Sequence, residues 1–311
     1  MFFSSELVSV MLGSTFSGML ARVPCHPLDT IKSRIQSGSS SGSILSVARG
    51  IVRAEGVRAL YRGFGVAFVA SAPASCLYFS AYEVAKRELG DGGVGVHLAA
   101  GLFAEAVSCV LFVPIDVLKE RLQVQVQGGA SPVYYRNARD AVRQIVRSGE
   151  GLRGLYRGYG ATLVSFGPFS AVYFALYEEF RMRALGWLPV PPVTHPTDAL
   201  ASTGTRRLLP AWLQAAVGAG AGALASVLTS PLDLVKLHLQ LQRGGGGAIG
   251  SVAYTGLWHG LRTIASDEGV RGLFRGLGAR VAYHTLSTGI SLLLFEECRA
   301  MAQAALDSTH S

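Results

Sequence analysis

One ten-residue pattern, Pro-x-Asp-x-x-Lys-x-x-x-Gln, occurs three times in this chain of 311 residues. The copies place Pro27, Asp29, Lys32 and Gln36; then Pro114, Asp116, Lys119 and Gln123; then Pro231, Asp233, Lys236 and Gln240. Each closes a long apolar segment, where ionisable side chains are costly and are kept for function. The pattern predicts an all-α membrane protein assembled from three copies of one unit.

Composition agrees. Charged residues are only 15% of the chain and hydrophobic residues 50%, whereas soluble domains carry roughly 25% charged residues. The net charge of +8 suggests a nucleic-acid ligand at first sight. However, the Lys and Arg residues flank apolar segments instead of forming a stripe or tail, which fits an anionic lipid surface and argues against nucleic acid. Cys25, Cys76, Cys109 and Cys298 are far apart and include no C-x-x-C pair, so neither a metal site nor a disulfide framework is expected. The first 21 residues hold no Lys or Arg, unlike a secretory or transit peptide, so any address is expected to be internal. No nucleophile elbow, HExxH motif or Walker loop is present, and an enzyme is not expected.

Six segments read as membrane-spanning helices: 7–27, 64–82, 95–114, 159–177, 211–231 and 278–296, each near the length that a bilayer requires. A second element follows each odd segment: Glu55-Gly56 then Tyr61-Arg62-Gly63, Glu150-Gly151 then Tyr156-Arg157-Gly158, and Glu268-Gly269 then Phe274-Arg275-Gly276. Between the two elements lie amphipathic stretches such as Ile44 to Arg53 and Ala138 to Arg147, suited to helices at the membrane surface. The motif prolines are 87 and then 117 residues apart. The excess falls mainly in a Pro-rich stretch, Trp187 to Pro210. The predicted organisation is thus repeat 1 over 1–90, repeat 2 over 91–186, an insertion over 187–210 and repeat 3 over 211–311. The Gly244–Gly247 run reads as a flexible connector.

On a helix, Asp, Lys and Gln at this spacing share one face. Three such helices about an axis would form a ring in which each Lys pairs with an Asp of the neighbouring helix and each Gln bridges the pair. A second charged set lies on the even segments: Tyr82 and Glu83 with Lys86, Tyr177 and Glu178 with Arg181, Phe295 and Glu296 with Arg299. Chain direction puts it at the opposite surface. Two rings, closed alternately, are a physical account of two gates.

In these motifs the chain closely resembles the mitochondrial carrier family over nearly its whole length. His238 departs from the pattern, since the family usually has Lys or Arg there. It lies outside the ring and puts little in doubt. The resemblance implies a monomeric bundle of six helices with pseudo-threefold symmetry and short surface helices on the matrix side of the inner mitochondrial membrane. It makes the first ring a matrix gate and the second an outer gate. It implies no cofactor or resident metal, but structural cardiolipin near Tyr61-Arg62-Gly63 and Tyr254-Thr255-Gly256.

The family's substrate contact points fall on Ala70, on Ser165 and Phe166, and on Tyr283 and His284. Ser165-Phe166 matches neither the Gly-aliphatic pair of adenine-nucleotide carriers nor the Arg-led pair of keto-acid and many amino-acid carriers. Arg22 and Glu105 are intramembrane ionisable residues and candidate ligands, with a structural ion pair as the alternative; Arg280 is a weaker candidate. Pro27 to Lys32 with Arg34 and Gln36, and Pro73-Ala74-Ser75, resemble the S-adenosylmethionine carriers. Ala279-Arg280-Val281 with Tyr283, and Leu77-Tyr78-Phe79, resemble the mitoferrins. Yet Ala21-Arg22 stands where mitoferrins have Glu-His, and a cation there argues against an iron path. The expected cargo is therefore a zwitterionic or mixed-charge metabolite, S-adenosylmethionine-like or amino-acid-like. Iron transport, or binding without transport, is the alternative.

Overall fold

A computed structural model describes residues 5–90, 93–126, 134–187, 209–243 and 253–310, with the side chains of 5–8, 93–95, 97–98, 296 and 306–310 left aside. Most of the Pro-rich insertion and the whole Gly244–Gly247 run lie outside these residues.

Repeat 1 comprises α1 (Ser5–Gln36), α2 (Ile44–Glu55) and α3 (Phe64–Leu89). Repeat 2 comprises α4 (Gly93–Val124), α5 (Ala138–Arg147) and α6 (Tyr159–Trp187). Repeat 3 comprises α7 (Ala211–Leu228), α8 (Ser230–Leu241), α9 (Leu257–Asp267), the one-turn α10 (Gly269–Gly272) and α11 (Leu277–His310). The six spans are α1, α3, α4, α6, the α7–α8 pair and α11. Among the described residues hydropathy alone identifies four of them, within Val57–Leu89, Ala99–Val124, Gly151–Gly186 and Ala211–Leu228. The last span, α11, carries the polar residues Arg280 and His284.

Proline acts differently in the three motif helices. α1 and α4 continue through Pro27 and Pro114. In repeat 3 the helix breaks at Thr229, and Pro231 sits in the first turn of α8, where its missing N–H costs nothing. Arg280 holds the break, donating to Thr229 Oγ1 at 2.9 Å and to the Thr229 carbonyl at 3.4 Å.

Each surface helix buries one stripe: Val47 and Ile51 on α2, Ala141 and Ile145 on α5, Gly260 and Ile264 on α9. Spacing of four residues puts each pair on one face. The stripes complete three small cores at the motif end, with Ile31 and Ile35, with Leu118 and Leu122, and with Leu234 and Val235. Ser43 and Asn137 cap α2 and α5 through their side chains, whereas α9 begins after Gly256 without a side-chain cap.

The helices close in the order α1, α3, α4, α6, α7–α8, α11. Packing between repeats is extensive (α3 on α4, α6 on α7, α11 on α1), but within repeats 1 and 2 the paired spans touch over a short length. Repeat 3 differs, for α7 and α11 pack closely. Gly218 and Gly222 allow it: a Cβ there would lie 2.2 Å from Leu292 Cδ1 and 3.0 Å from Thr288 Oγ1.

The aromatic-Arg-Gly elements explain how the repeats join. Gly63, Gly158 and Gly276 have φ of 79°, 78° and 74°, a left-handed conformation that favours glycine. A Cβ on each would come within 2.8–3.1 Å of the next repeat's motif helix, at Lys119, Gln240 and Gln36 respectively.

Candidate functional site

The three motif helices converge at one end of the bundle. Lys119 Nζ lies 2.7 Å from Asp29 Oδ2, Lys236 Nζ 2.8 Å from Asp116 Oδ2, and Lys32 Nζ 2.9 Å from Asp233 Oδ2. Every pair joins two repeats, so the ring is cyclic. Its members are largely buried, where an unpaired charge would cost several kcal/mol. Lys119 gains a second carboxylate, Glu120, at 3.0 Å.

The glutamines do not act alike. Gln123 donates to Asp29 Oδ2 at 3.2 Å, and Gln240 donates to Asp116 Oδ2 at 2.9 Å. Gln36 makes no corresponding bond to Asp233; both its amide atoms are buried without a hydrogen-bond partner. Arg280 takes that place, with Nη1 at 2.9 Å from Asp233 Oδ2. Arg280 therefore sits in the ring's third junction as well as in the cavity wall, and Lys32 lies over the ring of Tyr283 at 5.9 Å.

Below the ring lies a second tier of ties, in which His238 takes part. Arg34 donates from Nε to the Gln123 carbonyl at 3.0 Å and from Nη2 to the Gln125 carbonyl at 2.9 Å, and pairs with Glu55. Arg121 repeats this on the next junction: it reaches the Gln240 and Gln242 carbonyls at 3.2 and 2.8 Å and Glu150 at 3.0 Å. At the third junction the Nε2–H of His238 donates to the Gln36 carbonyl at 2.9 Å, and Glu268 pairs instead with Arg275. The histidine thus makes one tie at the place where an arginine makes several at each of the other two junctions. Burial would raise the Glu55 carboxyl, but hydrogen bonds and charge from Arg34 and Arg62 outweigh it and hold the group below its ordinary value.

The second charged set is arranged otherwise. Arg181 pairs with Glu178 at 3.1 Å within its own helix. Among the described residues no ion pair joins Glu83, Lys86, Glu178, Arg181 or Arg299 across helices, and the Glu296 side chain lies outside them. Tyr82, Tyr177 and Phe295 sit at partly buried positions on the same three helices.

Between the two charged sets the bundle is hollow. A lower cavity of about 260 Å³ rests on the ring and reaches Arg22, Ser165, Phe166, Arg280, Tyr283 and His284. An upper cavity of about 550 Å³ opens between α1, α3, α4 and α6, where the paired spans stand apart. Arg22, Phe112, Phe166 and Ser170 belong to both. Glu105 lines the upper one and accepts a bond from the Cys109 thiol at 3.4 Å. His284 packs against Phe169 and Tyr283 at 5.0 and 5.2 Å between centroids, and the Ser165 hydroxyl is buried without a partner.

Of the expected contact residues only Ala70 lies outside both walls; its neighbours Ser71, Ala74, Ser75 and Tyr78 line the upper cavity. Their near-helical spacing was the available signal. Phe112, Ser170 and Glu120 also line the cavities and were not anticipated, since none stands at a motif position.

Comparison with known proteins places the chain. The family described as Mitochondrial carrier protein matches three times, over residues 4–93, 90–185 and 208–305. "Mitochondrial substrate carrier family protein E" of Dictyostelium discoideum is 32% identical, covering 95% of this chain and 96% of the relative. "Mitochondrial S-adenosylmethionine carrier protein" of Xenopus laevis is also 32% identical, covering 95% and 97%. "Mitoferrin" of Dictyostelium discoideum is 29% identical, covering 92% and 91%. The chain belongs to the mitochondrial carrier family, a family of transporters, and is a multi-pass protein of the mitochondrial inner membrane.

Proposed function

We propose that the protein moves a small mixed-charge metabolite, of the S-adenosylmethionine or amino-acid class, by alternating access between two charged gates. One observation carries the reading: an upper cavity with Arg22 and Glu105 in its wall, among Tyr78, Phe79, Phe112 and Phe166, shares Arg22, Phe112, Phe166 and Ser170 with a lower cavity that rests on a closed ring of ion pairs. A cationic and an anionic side chain in one hollow suit a ligand bearing both signs, and the aromatic faces suit a heterocycle or a sulfonium. The similarity to S-adenosylmethionine carriers supports the same class.

In this reading the closed ring is the matrix gate, so cargo enters from the opposite side and settles between Arg22, Glu105 and the lower wall. Opening the ring breaks three ion pairs. That cost is offset by pairing of Glu83, Lys86, Glu178, Arg181, Glu296 and Arg299 at the outer gate, and by cargo binding better to the intermediate conformation. The monomer is the transporting unit. A cardiolipin phosphate would be held at the hollow of about 480 Å³ that Arg62, Gly63, Tyr134 and Arg136 form at the starts of α3 and α5.

The test is uptake by purified protein in liposomes across a panel of metabolites and metal ions. Saturable exchange of S-adenosylmethionine or an amino acid, lowered at least tenfold by Arg22→Ala, Glu105→Gln, Lys32→Ala or Asp116→Ala, is the expected result. Normal exchange in the last two variants refutes the gate. The mitoferrin relative favours iron transport as a second reading, although among the described residues no group of three His, Cys, Asp or Glu is gathered to hold a metal. Uptake of iron alone would reverse the order. A ligand-induced thermal shift without uptake would instead indicate a binding protein.

A further inference from the structure

A hollow of about 780 Å³ lies on the matrix face, apart from the transport path, at the junction of repeats 2 and 3. Its volume is within the range of ligand pockets. One wall is the face of α5 bearing Asp140, Arg143, Gln144 and Arg147, at helical spacing. Arg243, just beyond α8, forms the opposite side with its guanidinium 5.7 Å from the Tyr135 ring centre. Arg121 is the buried floor.

The charges do not balance locally. Four arginines face two carboxylates, and both carboxylates are committed. Glu150 pairs with Arg121, while Asp140 accepts from the Arg136 N–H and from Gln144, each at 2.9 Å. Neither Arg143 nor Arg147 makes an ion pair among the described residues. Guanidinium groups gathered around one concavity repel each other and concentrate anions, and their forks match phosphate oxygens.

The other junctions lack this arrangement. Repeat 1 has Arg49 and Arg53 on the matching face of α2, but Val126 stands opposite, where Arg243 stands here. Repeat 3 has Arg262 and Ser266 with Ser39 opposite. Among the described residues only this junction sets two arginines of a surface helix against an arginine just beyond the next repeat's motif helix; the hollow of Arg62 and Arg136 lies elsewhere, at the starts of α3 and α5.

We propose that this hollow binds a phosphate-bearing polyanion on the matrix side, held by Arg143 and Arg147 of repeat 2 and Arg243 of repeat 3. Its occupation fastens the ends of α5 and α8 together. The Arg121 tie and the Lys236–Asp116 pair lie on the same junction, so the bound anion holds the ring closed and slows transport. The binding stands independently; the effect on rate rests on the gate reading above.

Inorganic tripolyphosphate is the probe. Titrated into the full chain in a detergent free of acidic lipid, it is expected to give a saturable rise in Tm. Arg243→Ala, or Arg143→Ala with Arg147→Ala, weakens its apparent affinity at least fivefold, whereas Arg49→Ala with Arg53→Ala does not. No saturable shift, or equal weakening in the repeat 1 control, overturns the site as mere attraction to a basic protein. A parallel titration with anionic-lipid micelles separates the sources: an Arg243-dependent shift with lipid alone assigns a headgroup, and one with tripolyphosphate alone a soluble polyanion. Tripolyphosphate on the matrix side of proteoliposomes is expected to lower uptake several-fold in the wild type but not in Arg243→Ala. Binding without that change overturns the fastening step, and normal exchange in Asp116→Ala separately overturns the gate.

Discussion

Three junctions join the repeats at the motif end of the bundle, and two of them are built alike. Between repeats 1 and 2, and again between 2 and 3, one sees a Lys–Asp pair, a bridging glutamine, and a buried arginine that ties two end carbonyls and a glutamate. The junction of repeats 3 and 1 keeps only the Lys32–Asp233 pair unchanged. There Arg280 replaces the bridge from within repeat 3, Gln36 is left idle, and His238 offers one neutral hydrogen bond. All these departures fall on the same junction. Threefold sequence symmetry therefore does not imply threefold strength, and the third junction is the one that should part first.

The largest contrast is expected in the lower tier. Arg121→Ala removes a buried ion pair with Glu150 and two bonds to end carbonyls, and loss of one member of a buried ion pair costs about 3–5 kcal/mol. His238→Ala removes one neutral bond, worth about 1 kcal/mol. Thermal unfolding of the detergent-purified variants measures both, and equal losses would erase the distinction. His238→Arg should sharpen it in the other direction. A guanidinium reaching the end carbonyls of α1 would add charge-assisted bonds of about 1.5–3 kcal/mol, raise the Tm and slow exchange; a lower Tm would show that the third junction has no room for the tie.

The bridging tier predicts a smaller split. Gln123→Leu and Gln240→Leu each lose a hydrogen bond to a charged group, about 1.5–3 kcal/mol. Gln36→Leu removes an amide that satisfies nothing and should leave the Tm unchanged or higher. A loss equal to that of Gln240→Leu would mean that Gln36 engages Asp233 after all. The smallest effect is in pH. Glu55 titrates below its ordinary value of 4.5 in the folded protein. Its contribution is therefore present above that value and lost as pH falls through the folded one. The acid limb of a Tm–pH profile should flatten in Glu55→Gln, and an unchanged limb would dissociate Glu55 from the first junction's stability.

The facing of Asp, Lys and Gln was legible because helical period fixes which side chains share a face. What distinguishes the third junction was not. Whether Gln36 or Arg280 reaches Asp233 depends on the packing of α11 against α8, not on spacing within a motif. The break at Thr229 was equally hidden: proline occurs in all three copies, yet among the described residues only repeat 3 has an arginine bonded at the break. The cavity wall was read partly, through Arg22, Glu105, Ser165, Phe166, Tyr283 and His284. Ala70 was displaced by Ser71 and its helical successors because the rotation of α3 is set by its packing on α4.

The close approach of α11 to α1 also constrains the order of assembly. Gly13 lies so near the backbone of Arg299 that an added Cβ would sit 2.9 Å from its Cα. In chain order α1 is the first and α11 the last of the six spans. The entropy of closing so long a loop rises only logarithmically with length, so the delay is a matter of time more than of stability. Until the last helix inserts, the inner face of α1 has no neighbour on one side and the bundle remains an open crescent with its polar path toward lipid. A chain ending before α11 would lose the fastening of its first helix along with its last, and with it Arg280 from the third junction.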